Sequence, residues 1–479
     1  MRARFRAIVL VAAAAAVAAA GASAGAEVKT PPAPGKARPV KLPAITERTL
    51  PNGLLVVMAP LRNVPKITGI LTFHVGTGTE ADTHAGVAGL AARVANEGTA
   101  TRTSKGIKEE LRAIGGYLNV AADSDSTTVQ AGALSEFTPR LLALVADVVT
   151  HPSYPEKEVA LAKENLVQEI HDQRSQPGFL GTERFMKAVF GTHPYSYVAP
   201  DEKSVAALQR ADLAAFASKY YVPANAHLIL VGDFDVAALS KQIDAAFGPW
   251  KAGPKFQPTL PAPPRRDRRE IFFVDRPGSV QSSIRMGNIT FPRKDDDYFV
   301  LRTANVIYGG SFYSRLTRNI REAKGYTYSP FSTLDTRAYS GYFSAGASVR
   351  NEVTGATILE MIYELDRMRV LPVTDEELAA AKSFSVGNFA IELASQGGLA
   401  GRLNTVYLYG LPKTFLEDFR TRIESLTTAQ IEAAAARHLD TYRQAIAIVG
   451  DWQKVKDQVT PFGTVTVYTP EGEVKKGVD

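Results

Sequence analysis

The chain has 479 residues, 45% of them hydrophobic, and no cysteine, so it can build more than one large apolar core and must hold those cores without disulfides. Its formal charge is +6, and Arg2, Arg4 and Arg6 account for part of it; without them about +3 is left, which argues against a nucleic-acid or membrane-surface binder. Beyond the N-terminus no segment is apolar enough to span a bilayer.

In chain order, residues 1–26 read as a secretory signal peptide, with a basic start, an apolar run from Ile8 to Ala20, and A-x-A sites at Ala22-Ser23-Ala24 and Ala24-Gly25-Ala26. With no cysteine to carry a lipid, the expected destination is the periplasm. Residues 27–44, rich in Pro, Lys and Ala, read as a flexible leader. Residues 45–252 form the expected N-terminal domain and 253–269 a Pro-rich linker, whose RRDRR run from Arg265 to Arg269 reads as a solvated charge cluster. Residues 270–470 form the expected C-terminal domain and 471–479 a tail.

The two domains repeat one another. HLILVGDFD from His227 answers AIAIVGDWQ from Ala445, an offset of 218 residues, and both are apolar strands that close on Val-Gly-Asp before a helix. Upstream, SYPEKEVALAKENLVQEI from Ser153 answers PVTDEELAAAKSFSVGNFA from Pro372, and GGYLNVAADSDSTTVQAGAL from Gly115 answers GYTYSPFSTLDTRAYSGYFSAGASV from Gly325. Order and spacing agree, which implies two tandem copies of one α+β domain, each an antiparallel-rich sheet with helices packed on one face.

In the second copy, GGSFYSRLTRNIREAKGYTY from Gly309 to Tyr328 predicts an amphipathic helix over about Ser311 to Ala323, with Phe312, Leu316 and Ile320 on one face and Gly325 as its cap. A strand, YTYSPFSTLD, follows. Arg321 would sit in the last helical turn near free carbonyls and Tyr328 early on the strand, two donors suited to an oxygen that gains negative charge.

The duplicated halves, His193-Pro194-Tyr195, the SRLxxxIREAKGYTY block and the paired VGD strands together resemble the pitrilysin/insulinase family of zinc metallopeptidases, the inverzincins, over nearly all of residues 45 to 470. The resemblance implies a metallopeptidase fold of the pitrilysin/processing-peptidase type. Active members carry H-x-x-E-H on a helix of the first half and a glutamate ligand some seventy-five residues later. GVAGLAARVANEGT from Gly86 occupies that place here, with Gly89, Ala92 and Arg93 at the two histidines and the general base, while Glu169 keeps the position of the third ligand. No metal site is expected in this chain, since a lone carboxylate does not hold catalytic zinc, and none of the seven histidines stands at a ligand spacing from another. Arg93 at the second histidine position suggests an ion pair with Glu169 in place of the metal.

What the resemblance implies for the second half is a catalytic pair, Arg321 and Tyr328, that binds substrate and the tetrahedral oxyanion, behind a glycine-rich turn, Gly309-Gly310, assigned to substrate binding. Tyr326 departs from the small aliphatic residue usual after the glycine. The matching edge strand in active members accepts an extended peptide, so Tyr117 and Asn119 are further candidates for substrate binding, against the plainer reading of a sheet edge. Bacterial members also work as heterodimers that divide the zinc motif and the arginine/tyrosine pair between two chains. This sequence resembles the second kind of chain: inactive alone, acting on peptides with a homologous zinc-bearing partner. The alternatives are an inert scaffold and a peptide-binding chamber protein of the same fold.

Overall fold

The computed structural model describes residues 41–80 and 85–476; the signal-peptide reading, most of the leader, His84 and the last three residues of the tail lie outside them. Among the described residues twelve strands form two six-stranded sheets. The first contains β1 (Thr46–Thr49), β2 (Leu55–Pro60), β3 (Lys66–Phe73), β4 (Tyr117–Ala122), β5 (Thr127–Leu134) and β6 (Ala226–Gly232), in the order β1-β2-β6-β3-β5-β4. The second contains β7 (Glu270–Asp275), β8 (Gln281–Thr290), β9 (Phe331–Thr336), β10 (Gly341–Arg350), β11 (Ala445–Gly450) and β12 (Thr464–Tyr468), in the order β12-β7-β11-β8-β10-β9. Five strands of each sheet correspond one to one, including the parallel pairs β2/β6 and β7/β11. Only the outer strands differ: β1 lies antiparallel on β2, and β12 parallel on β7.

The VGD strands explain how the copies join. β6 is buried at every position, as a continuous apolar run must be when both sheet faces are covered. Leu228 and Leu230 point into the core formed with the first half's own helices. Ile229 and Val231 point the other way, into a cluster with Leu399, Ala400, Leu403 and Val406 from the second half. The second sheet receives the reciprocal contribution. Ile446 and Ile448 of β11 face its own helices, whereas Ala445 and Ala447 pack against Phe185, Met186, Val189 and Phe190 of the first half. Each sheet thus carries its own helices on one face, and a helix lent by the other half covers the opposite face. The result from Leu42 onward is one compact unit.

Eight helices of the repeat matter below. The first half contributes α1 (Val87–Val94), α2 (Ser104–Ala113), α3 (Glu156–Arg174) and the lent helix α4 (Pro177–Phe190). The second half contributes α5 (Tyr298–Asn305), α6 over residues 315–323, α7 (Asp375–Leu393) and the lent helix α8 (Gln396–Leu408). The register of the repeat extends to single side chains. Lys163 of α3 donates Nζ to the carbonyls of Ala206 and Leu208 at 2.8 and 2.6 Å, and Lys382 of α7 does the same to Glu424 at 2.8 Å.

The RRDRR run is not simply solvated. Arg266 bonds the Glu270 carboxylate and the Ala188 carbonyl and lies over Phe272, while Arg269 donates Nε to the Thr441 carbonyl at 2.8 Å. These two arginines, three residues apart, turn inward, and Arg265 and Arg268 remain exposed.

Candidate functional site

The first half presents α1, the helix at which the resemblance places the zinc motif. Its N-terminus is held by Glu80, which accepts from the backbone N–H of Gly86 at 2.7 Å and of Ala88 at 2.6 Å. Burial pushes the Glu80 carboxyl up to about 7, against the downward pull of those N–H groups. Along α1, a side chain at Gly89 would meet nothing within 4 Å, Ala92 is sealed in the core, and Arg93 points outward. The Arg93 guanidinium grips Glu169 with two parallel bonds, Nη1 to Oε1 at 2.8 Å and Nη2 to Oε2 at 2.7 Å, and this pair holds the Glu169 carboxyl below its ordinary range. Beside the pair lies a cavity of about 480 Å³ lined by Gly89, Arg93, Asn96, Tyr197 and the edge strand from Asn119 to Ala122.

These residues do not fit a zinc ion. Both oxygens of the single retained carboxylate are taken by a cation, the two imidazoles are replaced by nothing and by a guanidinium, and among the described residues no group of three ligating side chains comes together.

The second half presents α6 and the turn after it. Leu316 and Ile320 are buried as the spacing requires, but Phe312 precedes the helix and is 56% exposed, so it is not part of the buried face. Thr317–Ala323 is wound as a π-helix, and the Tyr326 N–H reaches back six residues to the Ile320 carbonyl at 2.9 Å. Gly325 makes the expected left-handed cap, with φ of +63° and its N–H on the Arg321 carbonyl at 3.1 Å. α6 is anchored through Arg315, whose guanidinium makes a buried bidentate pair with Glu377 at 2.7 and 2.8 Å. Glu377 also accepts from Thr374 N–H at 2.9 Å at the start of α7.

The predicted strand from Tyr326 starts later than expected, at Phe331. Pro330 has no N–H for a ladder, and the five residues ahead of Phe331 form a projecting loop. Tyr328 therefore stands on that loop, 83% exposed, rather than on β9. Arg321 satisfies no helix-end carbonyl; its guanidinium lies 4.7 Å from the Phe312 ring and 5.1 Å from the Tyr328 ring. Arg321, Tyr326, Thr327 and Tyr328 line a cavity of about 850 Å³ whose other walls include Gln281, Ser348 and Arg350.

The structure brings Arg321 and Tyr328 together but places the other candidates elsewhere. Gly309 and Gly310 are absent from the lining of that cavity; a Cβ on Gly309 would fall 2.7 Å from Ser332 Oγ, and one on Gly310 would fall 2.6 Å from Asn305 Nδ2. Close backbone packing requires both glycines. Tyr117 and Asn119 lie two residues apart on the exposed face of β4, the free edge of the first sheet, and only Asn119 lines the Arg93 cavity. The two cavities share no residue.

One polar cluster escaped the sequence reading, which tests histidines only at short spacing. His74, the residue after β3, meets His227 of β6 where the lent helix α8 covers the sheet. Asn404 Oδ1 accepts from Thr72 Oγ1 at 2.6 Å and from His227 Nε2 at 2.8 Å, so His227 Nδ1 accepts from His74 Nε2 at 3.0 Å. Burial lowers His227 to about 3, with His74 adding to the effect, and lowers His74 to about 4, with Lys255 adding to it. The cross-strand register Thr72↔His227 that makes this contact is not visible in a linear sequence.

Comparison with known proteins agrees with this architecture. A family model described as Insulinase (Peptidase family M16) matches residues 56–198, and one described as Peptidase M16 inactive domain matches residues 207–384. An "uncharacterized zinc protease" of Streptomyces coelicolor is 26% identical over 413 residues, covering 85% of this chain and 89% of that protein. A protein of the same description from Mycobacterium tuberculosis is 27% identical over 426 residues, covering 88% of this chain and 96% of that one. The crystal structure of a peptidase M16 inactive domain from Pseudomonas fluorescens superposes with a TM-score of 0.79 at 28% identity, over 85% of this chain and 98% of that one. With its duplicated sheets and with the two models of one peptidase family matching residues 56–198 and 207–384, the chain belongs to the insulinase (pitrilysin) family of peptidases.

Proposed function

We propose that this chain is the non-zinc-binding subunit of a periplasmic, two-chain peptidase, and that it supplies Arg321 and Tyr328 to an active site completed by a homologous zinc-bearing partner. One observation carries the proposal: Tyr328 is 83% exposed on a projecting loop, with the Arg321 guanidinium against its ring at the wall of a large cavity. A catalytically inert scaffold gives no account of that placement. Within the described residues no helix is long and apolar enough to cross a membrane.

In this reading the chain's own groups bind and stabilise. The Tyr328 hydroxyl and the Arg321 guanidinium donate hydrogen bonds to the carbonyl oxygen of the scissile peptide, and donate more strongly as that oxygen becomes an oxyanion, which is how such donors raise kcat. The metal that activates water belongs to the partner chain.

The test is reconstitution. The purified chain alone cleaves no peptide; mixed with its zinc-bearing partner it does, and Tyr328→Phe lowers kcat by roughly 10²–10³ without loosening the association of the two chains. Full cleavage by the isolated chain, or a complex indifferent to Tyr328→Phe, overturns the proposal.

A further inference from the structure

The cavity beside Tyr328 exists because β9 leaves its neighbour early. β9 pairs with β10 only from Thr336↔Gly341 to Phe331↔Gly346, while β10 continues to Arg350 against β8. Beyond Gly346 one flank of β10 is thus uncovered, and Ser348 and Arg350 point to the same face as Gly346 by alternation. The Phe331 ring lies over Gly346, where a Cβ would approach it to 2.8 Å, and closes the inner end of the space. The ring also carries the guanidinium of Arg285 at 5.3 Å.

The charge in this space is predominantly positive. Arg321 and Arg350 both line it, and Arg285 stands behind Phe331. Among the described residues none of the three forms an ion pair, although Arg315, Arg337, Arg367 and Arg369 of the same half all do. Among the described residues of the lining Glu322 is the one carboxylate; the remaining polar side chains, Gln281, Tyr326, Thr327, Tyr328, Ser329 and Ser348, can all donate. A cavity with two unpaired guanidinia, a third close by and a wall of donors is complementary to an anion.

We propose that this cavity is a carboxylate subsite for the bound peptide, in which Arg350, with Arg321, sets a preference for substrates that carry a negative charge beside the scissile bond. The proposal rests on the peptide-handling reading of the same site and adds to it a specificity residue and a substrate class. A carboxylate on a peptide has two sources, an acidic side chain or the free C-terminus, and both would present the same two oxygens to the Arg350 fork.

Binding to the intact chain, without any partner, tests it. Three rhodamine-labelled short Ala/Ser peptides serve as probes: one amidated with a single central Glu, its amidated Gln twin, and the Gln twin with a free C-terminal carboxylate. Fluorescence anisotropy should show the Glu peptide, the free-acid peptide, or both, binding about tenfold tighter than the neutral twin. Which of the two gains identifies the source. Arg350→Gln should erase that gain while leaving the neutral twin's affinity and the thermal melt unchanged, and Arg350→Lys should restore part of it. Equal binding of all three peptides, no binding of any up to millimolar concentration, or a charge preference that survives Arg350→Gln overturns the subsite. A charge preference without cleavage on reconstitution leaves the subsite standing and removes the peptidase reading; Tyr328-dependent cleavage without a charge preference does the reverse.

Discussion

Both halves turn from a helix into the edge strand of their sheet by the same device, and the two turns end differently. After α2, Gly115 takes φ of +56° and β4 begins two residues later at Tyr117. After α6, Gly325 takes φ of +63° and β9 begins six residues later at Phe331. In the first turn Gly116 N–H closes on the Leu111 carbonyl at 2.8 Å; in the second Tyr326 N–H closes on Ile320, one residue further back, at 2.9 Å. The Tyr117 ring consequently lies over Gly132, where a Cβ would come within 2.7 Å of it, whereas Tyr328 is carried clear of the sheet. A wider helix end and a proline before the strand are enough to convert a strand residue into a presented side chain.

The anchoring of the two helices differs as well, and breaking each anchor should have unequal cost. Glu377→Ala leaves Arg315, 8% exposed, buried without its partner, and should destabilise the protein by about 3–5 kcal/mol in urea unfolding. α2 is tied by Lys108 to Glu97 at 2.8 Å, with the lysine 54% exposed, so Lys108→Ala should cost less than about 1 kcal/mol. Similar losses from both variants would mean that the Arg315 pair is not what holds α6 in place.

Acid should separate the two lent helices in the same way. α8 covers the His74–His227 pair, whereas α4 packs on Ala445 and Ala447 through Phe185, Met186, Val189 and Phe190. Both histidines have folded pKa values below the ordinary 6.5, so the native state binds fewer protons than the unfolded chain between that value and about 3–4. Their contribution is therefore fully present above pH 6.5 and lost as pH falls toward 4, on the order of 3 kcal/mol for each histidine. Glu80, raised to about 7, acts in the opposite sense, since its protonated form is favoured in the fold between its ordinary value and 7. Hydrogen exchange at pH 5 should show lost protection along α8 and β6 before α4 and β11, and His227→Gln, which keeps a donor for Asn404, should flatten the acid limb of stability. Equal loss from both helices would detach the histidines from the effect.

The cap glycines allow a closer match. Neither Gly115 nor Gly325 has an atom within 4 Å of a built Cβ, so alanine at either position meets only the left-handed backbone penalty, about 1 kcal/mol. Gly115→Ala and Gly325→Ala should be alike in thermal melts. Only Gly325→Ala should reduce the activity of the reconstituted complex, because only that turn aims Tyr328.

How far these features were legible in the sequence follows from the range of the interactions behind them. The repeat, the α+β class and the Gly325 cap rest on periodicity, on a matched offset and on one glycine, all of which are linear information, whereas the Arg93–Glu169 pair was legible only through the family resemblance that places both at zinc-ligand positions. The continuous apolar run of β6 could show that both faces are buried, but not that the second cover comes from residues 396–408. The late start of β9 was signalled by Pro330 and overridden by the aromatic run before it. Phe312 fitted an apolar stripe by spacing alone; its role against Arg321 depends on where the helix begins, which spacing does not determine.

The Arg93–Glu169 pair is where the smallest energetic effect meets a sharp chemical one. Its side chains are 40% and 48% exposed, so water screens the attraction, and Arg93→Ala should cost no more than about 1 kcal/mol. Because Arg93 depresses the Glu169 pKa, that small contribution is present above the ordinary carboxylate range and disappears as pH falls through the lowered value. Arg93→Ala also frees both Glu169 oxygens, yet one carboxylate remains an insufficient ligand set, so equilibrium dialysis should find no stoichiometric zinc on the variant. Replacing Gly89→His together with Arg93→His should change that result, since the space at Gly89 is open and the pair would then offer two imidazoles beside a freed Glu169. Stoichiometric zinc on Arg93→Ala alone would show that the arginine, and not the missing imidazoles, keeps metal out of the first half.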